Sequence, residues 1–287
     1  MRWWCSGEAA VPWTWTPEPY IGIWLLMLGL ASGYVLAMRW YARQPGGRPP
    51  TRHQVLAFGG AWLLLWATTD WPVGKLSAGY LLSANMLQIM LYTYVVAPLL
   101  VSATPRGLRE RMLAAPRLGF LAAVVRRPMV TFVTFNAALV VTHIPSVADL
   151  LKASEVGTMV MDVVWLTTGV LFWWSLEVFR SSNSSMRFVK KALYILGTAP
   201  APMLLGIFLT FHNFPLYTTY EFANRVWPTF TALDDQQVAG LLSWVGMMPV
   251  IMIRLGLVFR EAYLADREGV IAGTDAMLAT PGGDRRA

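Results

Sequence analysis

The sequence predicts an all-α integral membrane protein: a seven-transmembrane-helix bundle, N-terminus outside and C-terminus cytoplasmic. Three observations predict it. More than half of the 287 residues are hydrophobic (56%), while only 14% are charged. Seven apolar runs centre on residues 20–38, 54–69, 80–101, 129–142, 157–179, 193–211 and 237–258. Crossing a hydrocarbon core of about 30 Å takes roughly 20 helical residues. Finally, the positive charges alternate. The linkers 39–53, 102–128 and 180–192, with the tail 259–287, hold eighteen of the 23 Lys and Arg residues. The intervening segments hold only Arg2, Lys75, Lys152 and Arg225. Arg254, one turn inside the last run, can snorkel to the basic side. The positive-inside rule then places the basic linkers in the cytoplasm.

Along the chain, residues 1–19 form an aromatic-rich outer segment. Its string MRWWCSGEAAVPWTWTPEP has no apolar stretch ahead of its Pro and Glu residues, so it reads as retained and not as a cleaved signal. Trp3, Trp4, Trp13 and Trp15 suit a membrane–water interface. Residues 20–259 form the membrane domain. Its second and fourth runs are short, and Val55, Trp71, Val130 and Ile144 extend or anchor them. The fifth, GTMVMDVVWLTTGVLFWW, carries Asp162, and the third carries SANMLQIML. The tail 260–287 is polar and Gly-rich and is expected to be disordered.

The net charge of +7 sits in short juxtamembrane loops. Topology and attraction to anionic membrane lipid account for it, so no nucleic-acid partner is expected. The single cysteine, Cys5, excludes an internal disulfide and a cysteine-pair metal site. No nucleotide fingerprint, phosphate loop, HExxH or GxSxG string occurs, and no nucleophile, base and orienter stand together, so the chain is not read as an enzyme. No internal repeat suggests a transporter.

Candidate functional residues lie near the outer side. Ionisable groups in the hydrocarbon region are rare and usually functional, which singles out Asp162. Asn85 and Gln88 lie at similar depth and could hydrogen-bond across to it. Met86 and Met90, at i and i+4, share a helical face, and Met159 and Met161 flank Asp162. Thioether sulfur selects Cu(I); the plainer alternative is pliable packing. His143 and His212 end the fourth and sixth runs. With outer carboxylates they could bind a divalent metal, or they could simply hydrogen-bond loop backbone. Asp234, Asp235 and Gln236 precede the last run, where an acid also caps a helix.

Several strings together resemble the bacterial cytochrome c oxidase assembly factor family CtaG, from about Trp13 to Phe259. They are WTWTPEPYIGIWLL, LLSANMLQIMLYTYVVAPLLVSATP, THIPSVADLL, WLTTGVLFWW, LGIFLTFHNFPLY and LDDQQVAGLLSW. The resemblance implies a non-enzymatic role in delivering or inserting copper for the oxidase at the outer face of the bacterial inner membrane. It also implies histidine ligands, and there this chain departs. The family's His-x-x-x-His pair in the third helix is replaced by Asn85 and Ile89, and the pair in the fifth helix by Thr158 and Asp162. His143, Met86, Met90, Asp235, Gln236 and Trp244 persist. Asn is a poor copper ligand, Ile is none, and Thr and Asp are hard oxygen donors mismatched to Cu(I).

Two expectations follow. One is an oxidase assembly factor that still handles Cu(I) through Met86, Met90, His143, Met159 and Asp162. The other is a metal-free structural or scaffolding subunit of a respiratory or related membrane complex. In that second case the outer loops 143–156 and 212–236, with His212, Asp234, Asp235 and Gln236, would contact oxidase subunits or another membrane-complex protein.

Overall fold

The computed structural model describes residues 2–7, 11–178 and 184–279. Among them the backbone is helical, with no strand beyond an isolated bridge between Arg2 and Tyr20. The long helices are α1 (Ile21–Ala42), α2 (Arg52–Thr69), α4 (Leu82–Ala103), α7 (Pro128–Thr142) and α9 (Glu155–Val178). Next come α10 (Ser184–Leu196), α11 (Pro200–Phe211) and α13, which begins at Ala232. Short helices join them: α3 (Val73–Gly79), α5 (Arg106–Ala114), α6 (Gly119–Val125), α8 (Pro145–Lys152) and α12 (Thr218–Glu221).

Five stretches are long and apolar enough to cross a membrane: Ile21–Ala42, Leu82–Ala103, Glu155–Glu177, Phe188–Phe211 and Ala232–Arg267. A sixth appears if Pro116–Val125 and Pro128–Thr142, bent by 76°, count as one span. Seven were expected. The remaining run is present as α2, but its first turn is Arg52, His53 and Gln54, which lowers its mean hydropathy. That turn starts where it does because Thr51 and Gln54 form a reciprocal capping box, with N–H to oxygen distances of 3.3 and 2.9 Å.

Two helices loosen at matching places. In α4 a π turn spans Leu91–Val96, just before Pro98. In α13 a π turn spans Leu242–Gly246, just before Pro249. Proline cannot donate to the carbonyl four residues back, and its ring crowds that carbonyl. Here those carbonyls belong to Tyr94 and Val245, both inside the widened turns, which relieve the crowding.

The last helix runs on beyond its apolar stretch. It continues from Met247 to Ala279, through most of the segment read as a disordered tail. Ala, Leu, Glu and Arg recur there and favour helix despite the polarity. Residues 280–287 of that tail and 179–183 of the basic linker lie outside the described residues.

The core has two main parts. Phe172, Trp173, Tyr194, Phe135 and Met247 pack toward the basic end. Trp4, Tyr20, Ile89, Tyr92, Met161 and Trp165 pack toward the charge-poor end. There the loops interlock. The Tyr217 hydroxyl donates to the His143 carbonyl at 2.8 Å, the Tyr220 hydroxyl donates to the Ser77 carbonyl at 2.7 Å, and Asp149 accepts from Thr218 N (3.0 Å) and Thr219 N (3.0 Å).

Candidate functional site

The charge-poor end buries a polar cluster assembled from four parts of the chain. Its base is one face of α9, where Thr158, Asp162 and Trp165 stand at i, i+4 and i+7 and are all buried. Helix α9 starts sharply because the Ser154 hydroxyl accepts from Gly157 N at 3.0 Å. A Cβ on Gly157 would sit 2.1 Å from the Leu151 carbonyl oxygen, so glycine permits α8 to turn back this closely onto α9. That turn lays Lys152 over α9, its ammonium 5.4 Å from the centre of the Trp165 ring.

The N-terminal segment completes the cluster. Residues 2–7 run into the bundle as a plug. The Trp4 indole donates to Asp162 Oδ2 at 2.8 Å. The Trp3 indole donates to Met159 Sδ at 3.4 Å, and Trp3 N donates to Glu155 at 3.1 Å. Gly7 N reaches the Lys152 carbonyl at 2.9 Å, and the Cys5 thiol faces the Thr69 carbonyl at 3.6 Å. Trp4 and Cys5 pack in one core with Ile89, Met161 and Trp165. The interfacial tryptophans expected from the sequence thus divide: Trp15 is exposed, whereas Trp4 is interior.

Four buried polar atoms here lack a hydrogen-bond partner among the described residues: Lys152 Nζ, Asp162 Oδ1, Thr158 Oγ1 and His143 Nε2. Lys152 and Asp162 interact through their charges without a direct ion pair. Burial pushes the Lys152 ammonium down to about 8, and attraction to Asp162 opposes that in part. His143 Nδ1 lies 2.7 Å from the Leu139 carbonyl and donates to it, which leaves Nε2 with its lone pair free. Burial lowers the His143 pKa to about 4; the bond to Leu139 opposes this, and the Lys152 charge adds to it. The histidine is therefore neutral at ordinary pH.

The expected bond from Asn85 or Gln88 to Asp162 does not form. Both amides turn to the other side of α4. Asn85 donates to Ser77 Oγ at 3.1 Å, while Gln88 donates to the Thr68 carbonyl (2.9 Å) and the Tyr92 hydroxyl (2.8 Å) and accepts from Ser77. The sequence missed Ser77 as their partner because α3, a short helix between two spans, carries it.

The residues expected to handle a soft metal are engaged in packing and hydrogen bonds. Met86 packs with Leu209, Tyr217 and Ala148. Met90 lies half-buried between two cores. Met159 is engaged by Trp3, and Asp162 by Trp4. Among the described residues no three His, Cys, Asp or Glu side chains gather to hold a metal ion.

The residues expected to make outer-face contacts are engaged within the chain. Asp235 and Gln236 are fully buried. Asp235 caps a different helix, accepting from Leu82 N at 2.6 Å and Ser83 N at 3.0 Å at the start of α4. Asp234 caps its own helix through Thr231. Gln236 pins the loop by accepting from Leu216 N (2.8 Å) and donating to the Phe214 carbonyl (3.1 Å). His212 sits between Phe208 and Phe214, with ring centres at 4.9 and 4.3 Å. Carboxylate and amide here serve backbone donors that sequence spacing does not bring together.

Comparison with known families gives one match: residues 32–264 fit the family described as cytochrome c oxidase caa3 assembly factor. No curated protein and no solved structure matches the chain.

Proposed function

The chain belongs to the cytochrome c oxidase caa3 assembly factor family, and on that premise we propose that it assists oxidase assembly as a non-enzymatic membrane protein, without carrying copper at the position its relatives use. It crosses the bacterial inner membrane seven times, α2 included, with the charge-poor end outside.

The observation that carries the metal-free reading is Lys152. A buried ammonium interacts through its charge with Asp162 and His143. An ammonium repels a metal cation and supplies the positive charge that Asp162 would otherwise draw from one. The remaining donors do not fit Cu(I): one neutral imidazole, a hydroxyl and a carboxylate already bonded to an indole. The plug also brings Trp4 and Cys5 into the core that holds Ile89, one of the lost ligand positions.

Without cargo, the protein would act by holding an oxidase subunit. Phe211, Phe214, Phe222 and Trp227 are exposed around the loop 212–230 and offer aromatic area of the kind favoured at interfaces. The interlocked loops beneath them make this a firm platform.

The test is Cu(I) stoichiometry after anaerobic loading of the purified chain, alongside rescue of oxidase activity in a strain lacking it. Wild type is expected to retain no copper and yet restore the oxidase. A combined N85H/I89H/T158H/D162H/K152M variant is expected to retain copper. Stoichiometric copper on wild type, lost in M86L/M90L, would overturn the metal-free reading. Failure to restore the oxidase would overturn the assembly role.

A further inference from the structure

At the basic end, a cavity of about 480 Å³ opens between α5, α6 and the end of α9. Three guanidinium groups line it, from Arg106, Arg109 and Arg126, against the carboxylates of Glu110 and Glu177. The acids are already taken. Glu110 lies 3.4 Å from Arg106, and Glu177 lies 3.8 Å from Arg109. Arg126 pairs with no carboxylate among the described residues; one of its nitrogens donates to the Leu113 carbonyl at 3.1 Å. The cavity therefore has one positive charge in excess, on a side chain whose fork is only partly used.

Burial lowers the Arg109 pKa; Glu177 opposes this in part, and the neighbouring Arg106 adds to the lowering. An anion in the cavity would relieve that crowding. The wall opposite is apolar, formed by Leu113 and Trp174. Helix α6, which ends at Arg126, turns Phe120 outward at 85% exposure, and Met129 follows at 69%. Guanidinium beside exposed apolar residues, at the boundary where apolar helices give way to charged linkers, matches a phosphate that carries acyl chains.

We propose that this cavity binds the headgroup phosphate of an anionic phospholipid, with Arg126 as the principal contact. The fork of Arg126 would hold two phosphate oxygens, and Trp174 and Leu113 would cover the glycerol.

Retention of phosphatidylglycerol by the full chain in mild detergent, read by native mass spectrometry, tests this. The R126Q variant is expected to bind phosphatidylglycerol about tenfold more weakly than wild type, the loss expected of charge-assisted hydrogen bonds. R117Q, which removes an exposed arginine that does not line the cavity, is expected to match wild type. Equal retention in all three proteins would mean diffuse charge attraction and overturn the site. Displacement of the lipid by millimolar inorganic phosphate would mark a free-anion site and overturn the lipid assignment. If R126Q does not fold, R126K keeps the charge and removes the fork; undiminished retention in R126K would overturn the role given to the fork.

Discussion

Lys152 shows how one side chain can redefine a site. Its sequence context is unremarkable: a lone cation in a short loop. The fold takes it out of water and sets it over Trp165. Folding must desolvate the ammonium, which is why its pKa falls from 10.5 to about 8. The sign follows from proton binding. Between about pH 8 and 10.5 the unfolded chain holds the Lys152 proton and the folded chain does not, so stability rises with pH across that window. The full gain is about 3 kcal/mol. Denaturation in detergent should show this rise for wild type, and K152M should lose it. A K152M curve with the same slope would mean that another group titrates there. His143 behaves alike at lower pH: its folded value of about 4 lies below the ordinary 6.5, so stability falls as pH drops from 6.5 toward 4. His143 and Asp162 were legible in the sequence, as a histidine before proline and an intramembrane acid. Trp4 and Lys152 were not, because their partners lie 158 residues away (Asp162 from Trp4) or are reached through a turn that Gly157 alone permits.

Among the elements, α11 and α13 cross at bare backbone. A Cβ added to Gly240 would lie 2.4 Å from Thr210 Oγ1 and 2.7 Å from the Gly206 carbonyl oxygen. A Cβ on Gly206 would meet the Gly240 carbonyl at 2.7 Å. Small residues let helices in a membrane approach this closely, where packing rather than water exclusion drives association. G240A should therefore destabilise the bundle by about 1–3 kcal/mol, because backbone, and not only a side-chain tip, must move. G29A serves as the control, since nothing lies near a Cβ there. Thermal unfolding of the three proteins side by side decides it, and equal midpoints would refute the close crossing. The paired π turns before Pro98 and Pro249 belong to this scale as well. The prolines are visible in the sequence, but a proline alone does not say whether a helix ends, kinks or widens. The outcome depends on whether neighbouring helices satisfy the freed carbonyls.

For the whole molecule, the charge pattern and the structure support one arrangement. The few cations at the charge-poor end are drawn into the fold. Lys75 is buried against Glu18 at 3.2 Å, Lys152 is buried, and Arg225 donates to the Ala223 carbonyl at 2.8 Å. They leave that face poorer in exposed positive charge than the sequence suggests. In a C5S background, E221C is expected to react with a membrane-impermeant maleimide on intact cells, and R48C only after lysis. The opposite pattern would reverse the proposed orientation. Unaltered Cys5 should stay unlabelled, since it is buried and its thiol pKa is raised by burial first and by Asp162 second.

The sequence alone determined the class of molecule, its apolar helical runs and the family. Each of these depends on local composition or on short strings of residues, and hydropathy and charge act locally. The tertiary structure alone decided what surrounds Asp162. The plug, the buried ammonium, the cap that Asp235 gives to a distant helix and the glycine crossing all join segments far apart in the chain. Their energies come from burial and from hydrogen bonds between those segments, and neither exists until the helices have packed.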